Sequence, residues 1–135
     1  MIYNINKEIE GENMILKGKV KTGLGQASYW MKKAEDAFEE KLGKKLFNGT
    51  LNIELDEEYI LENNNGILRK EEYGGAQDVY IKSCILLGHK SYILRTEKNS
   101  TKNGDHPLTL LEIVSDINFR EKYNLKDGDI VEIII

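Results

Sequence analysis

From Leu51 to Leu55 the chain alternates, with Leu51, Ile53 and Leu55 on one side and Asn52 and Glu54 on the other. That is the period of a strand with one buried face. The same reading predicts strands over 14–21, 50–55, 78–87, 91–95, 109–114 and 130–135. The period changes once. Across 33–42, Ala34, Ala37, Phe38 and Leu42 fall on one helical face and Glu35, Glu39 and Glu40 on the other, with Gly43 as the stop. Upstream, ASYWM either extends that helix back to Ser28 or forms a separate short strand. Short strands parted by NNNG, YGG, GHK and KDGD turns point to a small closed barrel, mostly β with one main helix, rather than a parallel sheet with crossover helices. Near the end, INFREKY reads as a short helical turn. Asp127-Gly128-Asp129 then turns the chain into an alternating last strand that closes the sheet, a structural role for both aspartates.

Composition narrows the function classes. At 135 residues the chain is the size of one ordinary domain with a real core, and no repeat or linker divides it. A net charge of −4 argues against non-specific nucleic-acid binding but allows one small phosphorylated ligand held by local cations. No apolar run approaches the ~20 residues of a spanning helix, and the acidic, polar N-terminus does not resemble a signal peptide, so the expected address is cytoplasmic, without membrane partners. The single cysteine, Cys84, has no internal partner and lies in an apolar run, which predicts a buried structural thiol. Two histidines provide no zinc-ligand spacing.

Candidate chemistry begins at KTGLGQASYW, where Gly23 and Gly25 follow a strand and let the backbone approach a bulky anion. A tight barrel corner explains the same glycines. The stretch lacks both the lysine-serine ending of a P-loop and the third glycine of a dinucleotide fingerprint. In FNGTLNIEL, Thr50 and Asn52 place two oxygen-bearing side chains opposite the apolar face; either that face meets water or the oxygens hold something. Glu112, flanked by Leu110, Leu111, Ile113 and Val114, is a carboxylate in an otherwise apolar strand. His106, six residues earlier, reads as a loop residue rather than a base.

The order of these segments, GKVKTGLGQASYW, an acidic helix ending in KLG, FNGTLNIEL, YGG and LLEIV…NFREKYNLKDGDIVEI, resembles the CTP-dependent riboflavin kinases known chiefly from archaea, over about residues 15–135. The tetrapeptide GTLN and the ending FREKYNLKDGD are its most specific parts. The resemblance implies a six-stranded cradle-loop barrel that transfers the γ-phosphate of CTP to riboflavin, giving FMN and CDP. It implies Mg²⁺ held by Thr50 and Asn52, nucleotide contacts from Gly23, Leu24, Gly25, Gln26, Ala27 and Ser28 and from Ile117, Asn118, Phe119 and Arg120, and flavin contacts from a threonine and Glu112. For the threonine, Thr96 and Thr101 are both available, with Thr96 preferred because it directly follows a strand. Glu112 is also the expected residue to orient or deprotonate the riboflavin hydroxyl. Where family members commonly read GLGEG, this chain has Gln26-Ala27-Ser28 after Gly25, which implies a differently shaped loop. Two other classes fit the same residues: a non-catalytic nucleotide- or flavin-binding regulatory barrel, and a kinase for another small alcohol.

Overall fold

The structure, a computed structural model, describes residues 7–10, 13–23, 27–61, 66–104 and 106–135. Among the described residues eight strands run in chain order: β1 (Lys7–Glu10), β2 (Asn13–Lys21), β3 (Leu51–Leu55), β4 (Gly66–Leu68), β5 (Val79–Leu86), β6 (His89–Thr96), β7 (Leu110–Val114) and β8 (Ile130–Ile134). Six of them close a ring in the order β2, β3, β7, β6, β5, β8, every pairing antiparallel. Closure falls on the last strand: Ile134 pairs with Ile15 of β2 and also with Ile85 of β5. A closed ring leaves no sheet edge among its members. The strands β1 and β4, unexpected from the pattern, flank it as partners of β2 and β5.

Helices α1 (Ala27–Lys33) and α2 (Glu35–Leu42) form the expected helical stretch, with ASYWM helical and Gly43 ending α2 in a left-handed conformation, φ 76°. The i to i+4 ladder continues through their junction, because Ala34 N–H donates to Trp30 O (3.0 Å) and Phe38 N–H to Ala34 O (2.9 Å). Among the described residues three further helices have four residues each: α3 (Lys70–Tyr73), α4 (Glu97–Ser100) and α5 (Phe119–Lys122), the last being the predicted helical turn.

Apolar side chains collect in two bodies. One fills the barrel with Leu16, Val20, Ile53, Leu86, Ile93, Leu111 and Ile133. The other packs Met31, Ala34 and Phe38 of the helices onto Leu68, Val79, Ile81, Tyr92, Leu94 and Val114 on the outside of the sheet. Strand β6 feeds both, Ile93 inward and Tyr92 and Leu94 outward, so Ser91 to Arg95 is buried without interruption. Cys84 is buried as predicted, and desolvation pushes its thiol up to about 12, which removes the thiolate and its nucleophilicity. Among the described residues no helix is long and apolar enough to cross a membrane.

Candidate active site

The site grows from one row of side chains. Lys21, Asn52, Glu112 and Leu94 are successive partners across β2, β3, β7 and β6, and directly paired residues share a face. Leu94 belongs to the apolar body under the helices, so the row lies on the outside of the barrel. Where α1 and α2 leave that face uncovered, a cavity of about 690 Å³ opens, lined by Thr50, Asn52, Thr96 and Glu112 from the sheet side. The burial of β3 records this. Leu51 and Ile53 point into the barrel and Glu54 into solvent, yet Asn52, on the Glu54 face, is only 8% exposed. The plain reading of that face as solvated holds for Glu54 and fails at Asn52, because the chain folds a cavity wall over it.

That wall includes the loop after β2. A Cβ built on Gly23 would stand 1.9 Å from Asn52 Nδ2, so any larger residue there would displace the carboxamide or the loop that lies against it. Asn52 Oδ1 is buried and has no hydrogen-bond partner among the described residues. Natural structures seldom leave such an oxygen without a partner, and an unmatched one costs about 1–3 kcal/mol. Its chemistry is that of a neutral oxygen donor. No cluster of three or more His, Cys, Asp or Glu side chains suited to a metal occurs among the described residues.

Of the nucleotide-loop residues, Gly23, Ala27 and Ser28 line this cavity, while Leu24, Gly25 and Gln26 lie outside the described residues. Ile117, Asn118, Phe119 and Arg120 line a smaller cavity of about 200 Å³. Gly49 and Thr50 border both. The turn that carries them is tied to the end of β7 by Phe47 N–H donating to Ser115 O at 2.8 Å. Asn118 caps α5, its Oδ1 accepting from Glu121 N–H at 3.3 Å. Arg120 reaches Asp127 Oδ1 at 2.6 Å, and Thr22 Oγ1 donates to Asp127 Oδ2 at 2.5 Å. These two contacts, Thr22 first, hold the Asp127 carboxyl below its ordinary range. The turn aspartate thus ties the start of the glycine loop to the arginine of the other stretch.

Thr96 lines the large cavity and caps α4, accepting from Asn99 N–H at 3.3 Å. Thr101 is exposed, its hydroxyl spent on the carbonyls of Glu97 and Lys98. Sequence reasoning missed the far wall, Tyr73, Gly75, Ala76 and Gln77, where Tyr73 donates to Gln77 O at 2.5 Å. The YGG turn was visible, but not what it faces. His106 sits in a loop, as expected, and its Nδ1 lies 2.9 Å from Glu112 Oε1, an ion-pair separation with both side chains about 15% exposed (15% and 16%). Beneath them Arg95 is buried, donating to the carbonyls of Tyr59, Leu108 (3.2 Å) and Leu110 (3.3 Å). Burial lowers its pKa, against the nearby charge of Glu112.

The family model described as CTP-dep_RFKase, Domain of unknown function DUF120, matches residues 20–135. Among curated proteins, the riboflavin kinase of Staphylothermus marinus is 35% identical over 122 residues, covering 89% of this chain and 90% of the relative. That of Methanothermobacter thermautotrophicus is 34% identical over 120 residues, covering 86% and 94%. The riboflavin kinase of Methanocella arvoryzae is 29% identical over 134 residues; the match takes in 93% of this chain but 59% of that relative's length. The closed six-stranded ring fits the barrel expected of such proteins. With the family model spanning most of the chain, this protein belongs to the CTP-dependent riboflavin kinase family.

Proposed function

We propose that the protein transfers the γ-phosphate of CTP to the 5′-hydroxyl of riboflavin, giving FMN and CDP. The observation that carries this reading is the unpartnered, buried Oδ1 of Asn52 on the same cavity face as Glu112. An oxygen donor and a carboxylate on adjacent strands suit a reaction that needs a metal-bound triphosphate on one side and a hydroxyl on the other.

Thr50 and Asn52 are the residues that would hold Mg²⁺, a hard ion that takes neutral oxygens and completes its shell with water and phosphate. Bound there, the ion supplies neutralisation of triphosphate charge. The chain's own part is positioning. The backbone around Gly23, Ala27 and Ser28 borders the phosphates, and Lys33 and Lys98 line the same cavity as further positive charge. The stretch Ile117 to Arg120 serves the rest of the nucleotide in the adjoining cavity, which meets the first at Thr50. Thr96 and Glu112 meet the flavin, and Glu112 orients its hydroxyl and accepts the proton. Phosphoryl transfer asks little covalent chemistry of a protein, so one placed carboxylate suffices.

The test is a product assay with purified protein, riboflavin, Mg²⁺ and each of the four nucleoside triphosphates. FMN should form at least about tenfold faster with CTP than with ATP, equivalent to about 1.4 kcal/mol. Equal rates overturn the CTP assignment. Quenched riboflavin fluorescence without FMN makes the protein a binder, and no response to riboflavin directs the search to another alcohol.

A further inference from the structure

The far wall of the large cavity carries an aromatic ring that the fold holds in one place. Tyr29 and Trp30 of α1 also line the cavity, but Tyr29 is 81% exposed and Trp30 packs on Phe38 with ring centroids 6.1 Å apart. Tyr73 is fastened at its tip and along its ring. Its hydroxyl donates to Gln77 O at 2.5 Å, and burial raises the phenol's pKa, which keeps the donor protonated at neutral pH. A Cβ built on Gly75 would stand 1.9 Å from ring atom Cε2 and 2.0 Å from Cζ, so the ring lies against bare backbone. That backbone is anchored in turn, Gly75 N–H donating to Lys70 O at 2.9 Å. The same segment is tied to the residues that follow Thr96: Lys98 N–H donates to Gln77 Oε1 (2.9 Å) and Glu97 N–H to Asp78 O (3.0 Å). Tyr73 is thus held in register with Thr96. Its polar tip is already engaged, and what it offers the cavity is a ring.

We propose that Tyr73 is a specificity-determining residue for the acceptor: its ring packs against the flat tricyclic ring system of riboflavin, in the cavity that Thr96 and Glu112 share with it. The proposal rests on the kinase reading above and adds to it the residue that selects a flat aromatic acceptor over a small aliphatic alcohol. A planar heteroaromatic ring gains from an aromatic surface whose orientation is set before binding, because no rotamer has to be frozen on association. A cavity of about 690 Å³ is of the size that takes such a ligand. The rival occupant is the cytosine base, equally flat. The Ile117 to Arg120 stretch favours the flavin, since it lines the smaller cavity, which shares only Gly49 and Thr50 with the larger one, and Tyr73 lines the larger one alone.

The experiment compares wild type, Tyr73→Phe and Tyr73→Leu in riboflavin phosphorylation with CTP and Mg²⁺ and in fluorescence titration of riboflavin without nucleotide. Phenylalanine keeps the ring and gives up one attachment, whereas leucine removes the ring and stays apolar. Expected are a riboflavin KM and Kd raised about tenfold in Tyr73→Leu, values within about threefold of wild type in Tyr73→Phe, and a CTP KM within about twofold in both. In wild type, NMR should show nuclear Overhauser contacts between the Tyr73 ring protons and the ring protons of bound riboflavin, with the Tyr73→Phe sample assigning the signals. A Tyr73→Leu riboflavin KM close to wild type, a Tyr73→Phe variant as weak as Tyr73→Leu, or bound riboflavin without those contacts each overturns the proposal while the kinase reading stands. A rise in the CTP KM in place of the riboflavin KM gives the ring to cytosine and overturns it as well. A wild-type protein that binds riboflavin but forms no FMN overturns the kinase reading, and the titration and NMR then decide the role of Tyr73. A protein that ignores riboflavin overturns both. If Tyr73→Leu does not fold, the wild-type NMR contacts decide.

Discussion

Asn52 and Glu112 are direct partners across the β3–β7 pairing, which puts a buried amide oxygen and a mostly buried carboxylate side by side on one cavity face. Strand pairing alone produces this juxtaposition. The two residues are 60 positions apart, and any one-residue slip of β3 would turn Asn52 into the barrel and Leu51 into the cavity. The register that packs the core therefore also builds the site.

Replacing Asn52 separates the two tasks. Asn52→Leu removes a buried oxygen that has no partner among the described residues and puts a good strand former in its place, so the fold should be as stable as wild type or more so by about 1 kcal/mol. If the oxygen holds the metal, Mg²⁺-dependent CTP binding should disappear. Calorimetric titration of CTP with and without Mg²⁺, beside thermal melts, checks both halves. A folded variant that binds Mg–CTP like wild type removes the metal site.

Gly23 offers an independent approach to the same carboxamide. Gly23→Ala brings a methyl to 1.9 Å from Asn52 Nδ2, so the loop or the side chain must move. Neither belongs to the core, and thermal stability should change little. Affinity for Mg–CTP should fall at least about tenfold. In the double variant with Asn52→Leu the two losses should not add, because residues in contact couple. Full additivity in the titration would mean that the methyl acts elsewhere.

The fold was largely legible because alternation reports burial. It gave the six ring strands, the helical stretch, its end at Gly43 and the closing strand after Gly128. The pattern could not give β4, whose three residues are too short to show a period. Within the site, GTLN and LLEIV were visible as oddities of polarity, and the resemblance supplied roles for them. Contacts made by loops were not visible. Nothing in GDHPLTLLEIV says that His106 turns back onto Glu112, since that depends on Asn99 and Arg95, which precede it in the chain. Likewise Arg95 at the end of SYILR looks like the polar end of a strand, whereas it is 4% exposed.

Asp127 makes stability depend on acid. Its carboxyl is held below the ordinary aspartate value by Thr22 first and Arg120 second, so the folded chain binds fewer protons there than the unfolded chain. The stabilisation is present above the unfolded pKa of about 3.9 and is lost as pH falls through the lower folded value. Asp127→Asn should melt lower than wild type at pH 7, and the gap should close as pH falls below about 4. Melts of both proteins across that window test it, because the other carboxylates titrate equally in each. A gap independent of pH would assign the effect to geometry alone.

Arg95 sets the last expectation. One buried guanidinium serves three carbonyls, those of Tyr59, Leu108 and Leu110, which no other residue type reaches from a single position. Arg95→Leu leaves those acceptors without their donor, at about 1–3 kcal/mol each, while relieving the desolvation of a buried cation. The carbonyls should dominate, since the cation already gains from the nearby Glu112 charge. A net loss of about 2–4 kcal/mol in urea unfolding is expected. Arg95→Lys, which keeps the charge but has fewer donors and no planar fork, should fall between the two. Because Leu108 and Leu110 flank the path from His106 to Glu112, both variants should also lose turnover at urea concentrations where they remain folded. An Arg95→Leu protein as stable and as active as wild type would mean that the loop carrying His106 holds its shape without the guanidinium.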